Sequence, residues 1–274
     1  MRLRIAHRIE YSNDQPLGYA LQRLRLVPAN NAMQTVRSWT LTIEGAKEEV
    51  RFSDHFGNDT RLISVEGEPH VIAIEASGEV ETFNRAGVSG PHRGFAPLWL
   101  FLRETPLTVA AEKVREIAAT IAKGTDVSSL HELMAAIHAS AAPAENPTQM
   151  QTSGTPATQV QRSQTAATPS ADDTPVERTH AFIAAARLLG FPARYVSGYW
   201  LVDGMPERAV SHAWAEAHVD GLGWVGFDAS NGISPDENYV RVATGRDHRD
   251  AMPVSGIRLG QASERLAVQI TVEQ

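Results

Sequence analysis

The chain has 274 residues, of which 42% are hydrophobic and 21% charged, which is enough for one large domain or two smaller ones with real cores. Its formal net charge of -7 argues against a general binder of nucleic acid, because such proteins carry a basic face that neutralises phosphates. The chain contains no cysteine, which excludes disulfides, thiolate metal sites and a cysteine nucleophile.

The distribution of apolar residues gives an expectation about location. No apolar run approaches the ~18–20 residues that a membrane span requires. The first residues, MRLRIAHRIEYSND, lack the apolar core and the small-residue cleavage site of a secretion signal. We therefore expect a cytoplasmic protein that does not contact a membrane.

The first 85 residues predict a β domain. Apolar residues alternate with polar neighbours along RLRIAHRIEY, which is the period of a half-buried strand. Similar short runs follow, separated by Gly, Asn, Asp or Pro turn signals. Strands at this spacing predict a β-sandwich or a similar sheet domain, followed by a connector with an apolar patch from Leu98 to Leu102.

Two helices and a low-complexity segment are predicted next. VAAEKVREIAATIAKG has one apolar face and ends at Gly124, and SSLHELMAAIHAS is a second helix with Ser128 or Ser129 as its candidate N-cap. Residues 141–173 are rich in Ala, Thr, Ser, Gln and Pro and have almost no large apolar side chain. We expect a mobile loop there, because such a composition buries too little surface to order itself.

A third helix and a pair of strands complete the pattern. Thr174 is a good N-cap, Pro175 suits the first helical position, and Glu177 completes a T-x-x-E capping box. ARYVSGYWLV and SHAWAEAHVDGLGWVGFDAS then predict antiparallel strands with a turn at Asp220 and Gly221. Along the second stretch, four side chains share one face of the strand: His212, Trp214, Glu216 and His218.

These stretches resemble the bacterial transglutaminase-like family. HRIEYS, LRLVP and DHFGN carry the resemblance in the first part of the chain, and AFIAAARLLGFPARYVSGYW, SHAWAEAHVDGLGWVGFDASNG and YVRVATGRDHRDAMPVSG carry it in the second. The resemblance implies an α+β fold. A β-sandwich-like domain (1–85) and a connector (86–108) would precede a papain-like core domain (109–274), in which helices pack on an antiparallel sheet.

The resemblance also implies a Cys-His-Asp site that this chain retains only in part. The family's histidine corresponds to His212 in SHAW, and its aspartate corresponds to Asp228 in GFDASN. The family's cysteine stands five residues before a histidine in a GVCQDFAH stretch. Aligning that histidine with His180 places Pro175 where the cysteine would stand.

The loss of the cysteine removes the family's chemistry. That chemistry needs a thiolate at a helix N-terminus to attack a carboxamide and form a thioester, and a proline side chain has no nucleophilic atom. Thr174 and Thr179 lie nearby, but a threonine hydroxyl is a poor nucleophile unless a base touches it. A metal site is not expected, because His212 and His218 would lie about 20 Å apart along a strand.

Two hypotheses therefore remain open. The first is a catalytically inactive relative that binds a peptide or protein, with Trp214, His180 and Trp224 as candidate lining residues of the cleft. The second is an amide or peptide hydrolase or acyltransferase that uses an unconventional nucleophile, or water activated by His212, together with Asp228. No cofactor is expected. By family analogy, ATP-grasp and α-helical proteins that make or modify peptides are candidate partners.

Overall fold

The computed structural model describes residues 1–12, 16–65, 67, 69–122, 126–140, 161–164, 174–202, 209–259 and 263–273. In this part of the chain the strands are β1 (Arg2–Ser12), β2 (Tyr19–Val27), β3 (Gln34–Glu44), β4 (Ala46–Ser53), β5 (Asp59–Val65), β6 (Val71–Thr82), β7 (Val88–Gly90), β8 (Gln161–Gln164), β9 (Ala193–Leu201), β10 (Ala209–Val219), β11 (Gly223–Phe227), β12 (Tyr239–Gly245), β13 (Val254–Leu259) and β14 (Ser263–Glu273). The α-helices are α1 (Glu112–Thr120), α2 (Val127–Ser140), α3 (Pro175–Leu188) and α4 (His248–Ala251), and a 3-10 helix covers Leu98–Leu102.

Two antiparallel sheets form the predicted sandwich. One has the strand order β14-β1-β6-β3, and the other has the order β4-β5-β2-β13-β8. Their facing apolar side chains, which include Ile9, Leu24, Ile63 and Ile74, form one buried cluster. The period-2 pattern of the sequence is the cause, because alternate residues of each strand point to the same side. The predicted α+β fold is confirmed.

The C-terminal strands belong to this sandwich and not to the core sheet. β13 pairs with β2, and β14 pairs with β1 along the whole length of both strands. The predicted division placed everything from residue 109 to residue 274 in the core domain, and it needs correction here. The last two strands cross back and complete sheets that the first strands began, so the two ends of the chain are joined by backbone hydrogen bonds.

The core sheet has the strand order β12-β9-β10-β11-β7. β7 comes from the predicted connector and pairs with β11, so residues 86–108 contribute a strand to the core as well as linking the two parts. On one face of the sheet, Ala213, Ala215 and Ala217 of β10 pack in a buried cluster with Phe182 and Ile183 of α3. The small alanine side chains allow the helix to lie close to the strand.

The N-cap of α3 is the residue that the sequence predicted, whereas the N-cap of α2 is a different one. Thr174 caps α3, and the reciprocal bonds with Glu177 form the predicted capping box. At α2 the helix begins at Val127, and the carboxylate of Asp126 accepts the backbone N–H of Ser129 at 3.2 Å. Asp126 therefore serves as the cap where Ser128 or Ser129 was predicted. The preceding helix, α1, ends at Thr120, and Ile121 after it is already extended. The predicted stop at Gly124, a residue outside the described part of the chain, was therefore placed too late.

The low-complexity segment is described only in its middle. Residues 161–164 form the short strand β8, which pairs with β13 at the edge of the second sandwich sheet. The predicted loop at residues 141–160 and 165–173 lies outside the described residues. Among the helices that the structure describes, none combines the length and the apolar character needed to cross a membrane.

Candidate functional site

His212 and Asp228 meet at one end of the core sheet. His212 lies on β10, and Asp228 follows the last residue of β11, in a turn that an isolated bridge to Ile233 closes. The imidazole Nε2 of His212 lies 2.6 Å from Oδ2 of Asp228. Both residues are buried, with exposed fractions of 8% for His212 and 0% for Asp228. The pair that the motifs predicted is therefore brought together by two neighbouring antiparallel strands.

Asp228 is held by five hydrogen bonds. Its Oδ2 accepts from His212, from the hydroxyl of Tyr239 at 2.8 Å and from Nδ2 of Asn231 at 2.8 Å. Its Oδ1 accepts the backbone N–H groups of Ser230 at 2.9 Å and Asn231 at 3.2 Å. This arrangement satisfies a carboxylate that has been removed from water.

These donors keep Asp228 ionised. Burial alone raises the pKa of the Asp228 carboxyl, but the hydrogen bonds and the charge interaction with His212, together with the bonds from Tyr239 and Asn231, outweigh it and lower the pKa. Burial and the nearby Asp228 charge raise the pKa of the Tyr239 hydroxyl, so it stays a donor. Because an ionised carboxylate only accepts, Nε2 of His212 carries the proton of this hydrogen bond.

Aromatic rings surround the His212 imidazole. The ring centroids of Trp200 and Tyr239 lie 5.4 and 6.0 Å from that of His212. Trp214 stacks at 6.5 Å and is only 2% exposed, while Trp200 is half-buried. The Nδ1 atom of His212 makes no hydrogen bond to any residue that the structure describes. In the neutral ring this atom is an acceptor, and it is the atom that would face a nucleophile or a ligand.

The first turn of α3 lies beside the Asp228 turn. Nη1 of Arg178 donates to the backbone carbonyl of Ser230 at 3.1 Å. Pro175 is the first residue of the helix and is exposed, and Thr174 precedes it as the cap. This contact sets the start of the helix next to the residues that hold Asp228, which is where the resemblance would require a nucleophile.

Both threonines near Pro175 are engaged in hydrogen bonds. The Thr174 hydroxyl accepts the backbone N–H of Glu177 at 3.3 Å. The Thr179 hydroxyl donates to the carbonyl of Pro175 at 2.7 Å, and the residue is 2% exposed. His212 is not among the bonding partners of either hydroxyl. Neither threonine therefore has the contact with a base that would activate it.

His180 lies away from His212. Its Nε2 accepts the backbone N–H of His248 at 3.1 Å, and its ring packs against Tyr195 at 5.3 Å. Tyr195 points to the face of the core sheet that carries Ala215, its partner on β10, whereas His212 points to the other face. Burial lowers the pKa of His180 to about 4, so it is neutral at pH 7. The structure thus does not place it as a lining residue around His212.

Trp224 also lies in a separate cluster. It pairs with His218, six residues and about 20 Å along β10 from His212. Its ring packs edge-on against Phe101 at 5.2 Å, and its indole N–H donates to His92 at 3.1 Å. With 1% exposure it is a core residue of this second cluster, so the expectation that it lines the cleft needs correction.

Sequence reasoning missed three residues around the pair, namely Asn231, Tyr239 and Trp200. Asn231 ends the DASN stretch, and a short polar side chain after an aspartate in a turn is a local signal that could have indicated it. Tyr239 and Trp200 come from other strands: the pairing of β9 with β10 brings Trp200 here, and the pairing of β12 with β9 brings Tyr239. Among the described residues, no group of three His, Asp or Glu side chains could hold a metal ion.

Comparisons with known families agree with this geometry. Residues 3–81 match the model of the bacterial transglutaminase-like N-terminal region, and residues 104–229 match that of the transglutaminase-like superfamily. The chain is a transglutaminase-like protein. Since none of the 274 residues is a cysteine, this transglutaminase-like chain lacks the nucleophile of the Cys-His-Asp site.

Similar proteins match the chain from end to end. An uncharacterized protein of Mycobacterium leprae is 27% identical over 291 residues, covering 99% of this chain and 98% of its own length. An uncharacterized protein of Mycobacterium tuberculosis is also 27% identical, over 99% of this chain and 92% of its own. A crystal structure from Cytophaga hutchinsonii, named as a candidate cysteine protease, superposes with a TM-score of 0.67 at 21% identity, over 99% of this chain and 90% of that one. This last likeness establishes the shared fold.

Proposed function

We propose that this transglutaminase-like protein is catalytically inactive and binds a peptide or protein segment at the His212–Asp228 site. One observation carries the proposal: Pro175 begins the helix at which the family's cysteine would stand, and no cysteine occurs anywhere in the chain. The histidine and the aspartate persist as a buried, hydrogen-bonded pair without the atom that they would assist.

Proline removes two catalytic elements at once. It has no side-chain atom that could attack a carbonyl, and it has no backbone N–H to stabilise an oxyanion. It is at the same time a good first residue for a helix, because that N–H would have no intrahelical partner. The substitution therefore preserves α3 while abolishing thioester chemistry.

The less favoured alternative is a hydrolase in which a threonine or a water molecule acts in place of the missing cysteine. A threonine nucleophile would have to leave its present hydrogen bond before it could act, since Thr174 caps α3 and Thr179 bonds the Pro175 carbonyl. Water activated by His212 remains as the other route, because Nδ1 of the neutral ring can accept a proton. Activity assays separate this route from the binding function.

The retained site has features that suit a peptide. Nδ1 of His212 is an acceptor for a backbone or side-chain amide N–H, and the half-buried Trp200 offers an aromatic surface beside it. The peptide-modifying proteins that family analogy suggests as partners would supply the peptide or protein segment that binds here. A cytoplasmic location stays part of this proposal.

The activity test compares the natural chain with two variants. Purified protein is assayed for ammonia release from glutamine peptides and for peptide cleavage, beside Pro175→Cys and His212→Ala. We expect the natural chain to give no turnover above the buffer blank, since Pro175 replaces the cysteine and neither nearby threonine contacts a base. Turnover by the natural chain that disappears in His212→Ala would contradict the proposal. Activity gained in Pro175→Cys would show that the rest of the site is intact.

The binding test uses a random peptide library displayed on phage. We expect the natural chain to enrich peptides that Trp200→Ala no longer retains, because the half-buried Trp200 ring lies 5.4 Å from that of His212. Trp99→Ala is the matched control, since Trp99 is 59% exposed and lies in the 3-10 helix, away from this site. A library in which no enriched peptide distinguishes Trp200→Ala from the natural chain would overturn the binding function.

A further inference from the structure

A second site is formed by a cavity between the sandwich and the core sheet. Its volume is about 230 Å³, and it lies among the loop that follows β2, the segment after β7, and strands β9 and β12. Its polar lining consists of Asn30, Asn31, Ser89, Arg93, Arg194 and Arg241. Three arginines thus line the cavity, and no carboxylate of the described residues lines it, in a chain whose net charge is -7.

The positive charge of this cavity is only partly compensated. Arg194 and Arg241 share a single carboxylate, Glu216, which Arg194 contacts at 2.6 and 2.7 Å and Arg241 at 3.4 Å. The pKa of Glu216 is lowered because these two cations outweigh the effect of its burial. Arg93 has no ion-pair partner among the described residues. Among the described residues, the three arginines therefore have one carboxylate, Glu216, to balance their charge.

Arg194 is fixed in place beneath the cavity. It is 5% exposed, its guanidinium carbon lies 3.9 Å from the centre of the Trp224 ring, and Glu216 holds its other edge. Burial, followed by the neighbouring Arg241 charge, lowers the pKa of Arg194 to about 10 in spite of the opposing effect of Glu216. The group is still cationic at pH 7. A buried, rigid cation beside a cavity favours an anion there.

Neutral donors stand at the same cavity. The side-chain oxygen of Asn30 accepts the backbone N–H of Val36 at 2.7 Å, and that of Asn31 accepts the backbone N–H of Met33 at 2.7 Å. These bonds assign the oxygen of each amide, so each Nδ2 remains a donor. Neither Nδ2 donates to another described residue. The lining therefore offers donors in excess of acceptors.

We propose that this cavity binds an oxyanion group, carboxylate or phosphate, between Arg93, Arg194 and Arg241. Planar guanidinium groups recognise both chemistries through paired N–H donors. The cavity is distinct from the His212–Asp228 site, since Glu216 lies four residues, or about 13 Å, along β10 from His212. This oxyanion site does not depend on the peptide-binding function.

The test is an NMR titration of the full chain with inorganic phosphate and, separately, with acetate, against sodium chloride at equal ionic strength. We expect saturable shifts of the Trp224 indole signal, because Trp224 contacts Arg194. Saturation by phosphate alone or by acetate alone identifies the source of the oxyanion, and either result supports the site. No saturable shift beyond that caused by chloride would overturn it.

The variants separate a specific site from a general charge effect. Arg93→Gln should raise the dissociation constant at least about tenfold, because it removes an uncompensated cation from the lining. Arg103→Gln is the matched control: it is exposed, lies outside the cavity and should leave binding unchanged. Since Arg93 has no partner among the described residues, its replacement is not expected to affect folding. Equal binding by Arg93→Gln and the natural chain would contradict the proposal.

Discussion

At the scale of single residues, the site keeps the hydrogen bonds that hold Asp228 and His212 but lacks the family's cysteine. Asp228 is buried, ionised and held by five donors, and His212 is oriented by it. Breaking a buried network of this kind leaves a charge without its partners, which is strongly destabilising. The network thus has a structural value that is independent of catalysis, and this value explains how the pair can persist beside Pro175.

The stability of this network can be measured through Tyr239. We expect Tyr239→Phe to lower the free energy of unfolding by about 1–3 kcal/mol, because the ionised Asp228 loses a buried donor. Urea denaturation of the natural chain and the variant gives the value. Tyr19→Phe is the control, since Tyr19 is 48% exposed and should change stability by less than about 0.5 kcal/mol. Equal losses in the two variants would refute the role assigned to the Tyr239 hydroxyl.

At the scale of elements, the sequence was sufficient to predict a feature when the residues that form it lie close together along the chain. The start of α3 was predictable because Thr174 and Glu177 lie three residues apart and bond each other. The hairpin of β10 and β11 followed from the turn at Asp220 and Gly221. His212 and Asp228 were found through motifs on these same elements.

Pairings between distant segments were not predictable from such signals. β14 alternates like an ordinary edge strand, and nothing in its sequence identifies β1 as its partner across more than 250 residues. The same holds for Tyr239, which reaches Asp228 only because β12 pairs with β9. The resemblance made His180 a candidate lining residue of the cleft. The alternation of β9 places Tyr195, against which the His180 ring packs, on the face of the sheet opposite to His212.

At the scale of the whole molecule, two buried histidines make the stability of the protein depend on pH. His7 on β1 bonds the hydroxyl of Tyr199 on β9 at 2.7 Å, which joins the two parts. Burial lowers the pKa of His7 to about 4, and burial likewise lowers that of His180 to about 4. Both are neutral in the folded protein at pH 7, whereas their ordinary pKa is about 6.5.

Stability should therefore fall on acidification below about pH 6.5. Between this value and about pH 4 the unfolded chain binds protons that the folded chain rejects, at a cost of up to about 1.4 kcal/mol per pH unit for each histidine. Urea denaturation at about pH 7 and pH 5 measures the decline. His7→Gln should reduce it, since glutamine does not titrate and can still bond Tyr199, while the same change at the exposed His55 should not. An unchanged decline in His7→Gln would contradict this assignment.

The central claim is that this transglutaminase-like protein has no activated nucleophile that forms an acyl intermediate with an amide substrate. Intact-mass spectrometry after incubation with a glutamine-peptide probe tests it directly. The account predicts that the natural chain keeps its unmodified mass under conditions in which an acyl adduct on Pro175→Cys would be retained. A covalent acyl adduct on any side chain of the natural protein would contradict the account.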